Sequence, residues 1–142
     1  MKSTHKPTKL FWVITILALF WNIFGLFQFF VEMTLTEEML AQYPQDIQNF
    51  MHHAPTWFIC AFGIAVFAGA LGSLALVLRR KLSQYLLLLS CLAVVAMTYY
   101  DFMVQKDVVM NLEFGTMPVI VFVIAVLLLL FARNANSKQY LR

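Results

Sequence analysis

Charge is scarce in this chain. Only 12% of its 142 residues are Asp, Glu, Lys or Arg, whereas 62% are hydrophobic. A soluble domain carries about twice that share of charge. A chain this short still exposes about a third of its surface when folded, so it has no single core large enough to hide the excess apolar side chains. The low charge excludes an intrinsically disordered chain. Two cysteines, Cys60 and Cys91, exclude a disulfide-stapled scaffold. Five glycines and four prolines exclude collagen-like or linker-like polymers. The environment that remains is a lipid bilayer.

Long apolar runs are abundant, and a membrane helix needs about 20 such residues. Spans are expected at 10–31, 57–78, 82–102 and 114–132. Ten-residue alternating segments separated by polar turns are missing, so a β-barrel is not expected. The predicted fold is an all-α, antiparallel bundle of four transmembrane helices forming a single domain over 1–142. The first run exceeds the length of a signal-peptide core and ends in Phe29-Phe30-Val31-Glu32-Met33, with no small-residue cleavage site. It reads as an uncleaved span.

Basic residues set the expected orientation. Lys2, Lys6 and Lys9 precede the first span, Arg79, Arg80 and Lys81 fill the turn between the second and third, and Arg133, Lys138 and Arg142 follow the fourth. With four spans, these nine of ten basic residues fall on one side, and only Lys106 lies opposite. The positive-inside rule then places both termini in the cytoplasm. These side chains read as membrane-surface anchors, so the net charge of +3 implies no nucleic-acid partner.

The loop over 34–56 reads as amphipathic. Thr36 suits a helix N-cap, with Glu37 and Glu38 in the first turn. Leu40, Tyr43, Ile47, Phe50 and Met51 fall on one helical face. Pro44 fits the start of a second short helix or a kink. This segment either lies in the membrane interface or forms a lid over a site between the spans.

Few residues carry chemical potential. Asn22 is an amide near mid-membrane with Thr15 on its face, and such a group needs a partner on another helix. It serves either as interhelical glue, with span two or three as the partner, or as a solute contact. Ser83, Ser90 and Asp101 share one face of span three. Asp101 either reaches interfacial water or faces the bundle as an ion-binding carboxylate. Ala65, Ala68, Gly69 and Gly72 belong to a stripe of small residues on span two, suited to close helix packing inside the bundle or between two copies. His52 and His53 are adjacent, so their side chains point about 100° apart, and no metal site is expected. Cys60 and Cys91 differ in depth by roughly 10 Å and should remain free. No cofactor is implied. Nucleophile elbows, phosphate-binding glycine loops and CxxC motifs are missing, so no enzyme activity is expected.

Three stretches carry a resemblance. Leu19-Phe20-Trp21-Asn22-Ile23-Phe24-Gly25, Ala54-Pro55-Thr56-Trp57, and Ala65-Val66-Phe67-Ala68-Gly69-Ala70-Leu71-Gly72 running into Leu78-Arg79-Arg80 resemble a group of small bacterial four-span proteins often labelled sugar transporters. The resemblance implies a bacterial inner-membrane protein with a four-helix fold. It brings no binding residues with it, and the PQ-loop motif of small sugar exporters is absent. Two function classes follow. One is an accessory protein acting through helix packing, with the bilayer, a second copy or another membrane protein as partner. The other is a protomer of an oligomeric small-solute transporter or channel, its path lined by Asn22, Ser90 and Asp101. A polar, water-accessible cavity reaching Asn22 favours the second class, and a dry, closed bundle favours the first.

Overall fold

A computed structural model of the chain describes residues 5–104, 106 and 112–142. Its helices are α1 (Lys9–Met33), α2 (Glu37–Leu40), α3 (Gln45–His53), α4 (Thr56–Val77), α5 (Leu82–Met103) and α6 (Leu112–Ser137). Among these, α1, α4, α5 and α6 are long and apolar enough to cross a membrane. The sequence places a short outer loop over 106–113, of which 107–111 lie outside the described residues.

Local chemistry sets the helix ends. The Thr8 hydroxyl accepts from the Phe11 amide at 3.3 Å and starts α1. Thr36 does the same for α2, accepting from Met39 N at 3.3 Å. Pro44 and Pro55 occupy the N-cap positions of α3 and α4, where a missing N–H costs nothing. Two C-termini use a left-handed residue that is not glycine. Arg79 after α4 and Gln139 after α6 each have φ of 58°. In each case the next amide reaches back to close the helix, Arg80 N to Ala75 O at 2.7 Å and Tyr140 N to Ala135 O at 3.0 Å.

The four long helices run up and down. Phe11 near the start of α1, Leu76 near the end of α4, Leu87 near the start of α5, and Ala132 and Ala135 near the end of α6 form one buried cluster. Successive long helices are therefore antiparallel, and this cluster marks what is called here the basic end. In the series, α1 packs on α4, α4 on α5 and α5 on α6. The first and last members meet at the basic end, where the rings of Phe11 and Phe131 stack 5.7 Å apart.

Most large apolar side chains on the outer faces are exposed, Phe20 at 67% and Leu127 at 58% among them. On a soluble protein such a surface would aggregate. In a bilayer it is the ordinary lipid-facing surface.

Two features at the basic end exceed the sequence-based expectation. The last helix runs to Ser137 rather than stopping at 132, because Ala132 and Ala135 are buried against the other helix ends. Packing, not membrane apolarity, carries this extra turn. The segment after it folds back across the α4–α5 turn and drives Leu141 into the core at 2% exposure. Arg142 N donates to Arg79 O at 2.6 Å, and Lys81 N donates to Arg142 O at 3.0 Å. Arg79 is more than a surface anchor. Its Nε donates to Tyr140 O at 2.7 Å and its Nη2 to His5 O at 3.0 Å, joining both ends of the described chain to one turn.

Candidate functional site

The mid-membrane polar residues come together on α4. Asn22 Nδ2 donates to Ser73 Oγ at 2.9 Å on α4 and to Ala18 O at 2.8 Å on its own helix. Both amide hydrogens are thus used, and the partner helix is span two, one of the two expected. Thr15, on the same face, is fully buried and donates to Trp12 O at 3.0 Å. Ser73 was not singled out from the sequence, although it neighbours Gly72 in the small-residue stripe.

The glycines explain how the amide reaches α4. A Cβ built on Gly69 would collide with Asn22 Oδ1 and lie 3.2 Å from Ser90 Oγ. Gly69 therefore leaves the gap in which α1 and α5 both approach α4. Gly72 has the same role one turn on, where a Cβ would lie 2.9 Å from Leu87 Cγ. Ala65 and Ala68 are buried at 6% and 5% exposure. All four small residues lie within the chain's own packing.

Ser90 and Asp101 share one buried face of α5 with Ser83. The Ser90 hydroxyl donates to Ala65 O at 2.7 Å, which ties α5 to α4. Asp101 differs. It is 7% exposed, and no hydrogen bond or ion pair joins it to any described residue. Beside it, Tyr100 packs against Trp57 and Phe58 with ring centroids 5.3 and 5.1 Å away.

A cavity of about 560 Å³ connects these residues. It begins at Asn22 and Ser90, in the middle of the bundle, and extends to Glu32 and Asp101 at the end opposite the basic cluster. Leu87 and Leu128, both packed with the basic-end cluster, form its floor. One long wall comes from α1 through Trp21, Phe24 and Gln28. The facing wall comes from α6 through Met117, Val121 and Ala125. The volume lies within the range of about 300–1,000 Å³ common for small-molecule sites.

The amphipathic segment borders the cavity at its acidic end. Tyr43, Ile47, Phe50 and Met51, four of the five residues assigned to one face, line the cavity. The fifth, Leu40, is buried at 7% exposure. Phe50 meets Phe58 of α4 edge to face at 5.6 Å. A weak ion pair, His52 Nε2 to Glu37 Oε2 at 3.7 Å, links α3 to α2 at the surface.

Among the described residues, no group of three or more His, Cys, Asp or Glu side chains could hold a metal. Cys60 and Cys91 are free. Among the described residues, the charged side chains lining the cavity are Glu32 and Asp101, and no Lys, Arg or His lines it. The α6 wall had no signal in the sequence, because an aliphatic residue facing a cavity looks like one facing lipid. Glu32 was legible only as the acid that ends the first span.

No family model, curated protein or solved structure matches the chain.

Proposed function

We propose that this multi-pass membrane protein binds a small solute between its helices and takes it up from the acidic end. The cavity that reaches Asn22 is the observation that carries this reading. A protein acting by packing alone has no use for a void of about 560 Å³, since unfilled volume forfeits dispersion contacts. The basic end is shut by the Phe11 cluster, so the arrangement is that of a site open to one side. The lining residues all come from one chain, whether or not further copies assemble around it.

The split of basic residues supports cytoplasmic termini, which makes the acidic end the outer face of a bacterial inner membrane. The α2–α3 segment is then an external lid. The walls suit an apolar body better than a sugar, whose many hydroxyls would lose water and find few replacements. Asn22 and Ser90 present their edges to the solute but are held in place by helix contacts. They form the inner end of the site rather than its charge-reading part.

Native mass spectrometry tests this reading. Wild-type protein released from its own membrane in mild detergent is expected to carry a non-covalent small-molecule adduct. Val94→Trp, which puts an indole at the cavity wall, should lose that adduct while still melting cooperatively, at a temperature lowered by crowding of Ala65 and Ala93. Both proteins running at bare polypeptide mass would contradict the reading.

A further inference from the structure

We propose that the solute is a lipophilic cation, held with its positive centre against Asp101 and its apolar body between α1 and α6. This rests on the reading of the cavity as a solute site, and it adds the charge of the occupant.

Asp101 is more than nine-tenths buried, lines the cavity, and has no partner among the described residues. The polar groups at the inner end of this space are already bonded, Ser90 to Ala65 O and Asn22 to Ser73 and Ala18. A carboxyl in this setting lacks a compensating charge, and buried acids of membrane proteins ordinarily pair with one. The protein does not supply that charge. Lys106, at the same end, is exposed and makes no ion pair with Asp101. His52 and His53, on the lid helix, do not line the cavity. Glu32 adds a second acid to the same space, with Gln28 as its side-chain neighbour. An anionic solute would meet like charge without relief.

The walls fit the same class. Phe58, whose ring lies beside that of Tyr100, and Phe62 one turn further along α4 line the cavity, and aromatic faces attract a poorly hydrated cation. A small hydrated ion would find no ring of oxygen ligands here, because most of the lining is aliphatic or aromatic. A cation wrapped in apolar groups satisfies the carboxyl and the walls together.

The test uses full-length protein in mild detergent and two ions of nearly equal size and opposite charge. Tetraphenylphosphonium and tetraphenylborate are measured in separate equilibrium dialyses. Tetraphenylphosphonium should bind saturably, and tetraphenylborate should not. Asp101→Asn should weaken tetraphenylphosphonium binding at least about tenfold, the smallest loss expected for removing a close charge partner away from water. Its melting temperature should hold or rise, since the lost charge has no protein partner. Glu37→Gln, an exposed acid outside the cavity, should leave binding unchanged. The wild-type comparison of the two ions decides the matter even if Asp101→Asn does not fold. Equal binding of both ions, or full affinity in folded Asp101→Asn, would overturn the cation and leave the cavity reading standing. If neither ion binds while Val94→Trp still loses its adduct, the cation is likewise overturned. If the adduct is absent as well, both readings fall.

Discussion

Gly69→Leu should lower the stability of the protein by about 3 kcal/mol, the upper part of the range for overpacking a filled site. Even the first added carbon would collide with the Asn22 amide and crowd Ser90. Neither neighbour moves freely, because Asn22 is bonded to Ser73 and Ala18 and Ser90 is bonded to Ala65. A leucine must therefore push α1 and α5 away from α4, breaking contacts on both sides. Gly69→Ala should be milder, since alanine regains up to about 1 kcal/mol of helix propensity. Adding Asn22→Ala to Gly69→Ala should recover part of the loss by removing the colliding oxygen. Thermal unfolding in detergent measures all three. Unchanged stability in Gly69→Leu would show that this face of α4 is not the packed one.

Phe11→Ala should cost about 3 kcal/mol, the low end of the range for emptying a buried phenylalanine site. The low end applies because lipid is as apolar as the core, so the loss is packing rather than transfer from water. Phe11 is 2% exposed, stacks on Phe131 and meets Tyr140 edge to face at 5.6 Å. Its ring joins α1 to α6 and to the returning chain end around Leu141. Without it the basic end loses its closure. Unfolding in detergent would read the loss directly, and a melting temperature equal to wild type would remove Phe11 from that role.

The four spans were legible because length and apolarity alone define a membrane helix. Their internal faces were legible where small or polar residues marked them. Gly69 and Gly72 stood out against leucine, and Asn22 could not be left in lipid. The α2–α3 segment announced its cavity-lining face through the spacing of Tyr43, Ile47 and Phe50. Three features were not readable. Arg79 and Gln139 end helices in a left-handed conformation usually taken by glycine, so no composition signal preceded them. The burial of Leu141 depends on a chain reversal after α6 that local sequence does not encode. The cavity itself is a gap between helices α1 and α6, and a space that no side chain fills has no sequence signature.

Sided labelling of single cysteines distinguishes a cavity open at the acidic end from a closed or two-sided bundle. In a background with Cys60 and Cys91 replaced by alanine, Met97→Cys and Val94→Cys place thiols on the cavity wall. Leu76→Cys places one in the sealed cluster, at a position with 0% exposure. A membrane-impermeant maleimide is applied to vesicles of each orientation. Met97→Cys and Val94→Cys should react from the acidic side only, and Leu76→Cys from neither. Inert cavity thiols on both sides, or reaction from the basic side, would contradict a cavity open at the acidic end.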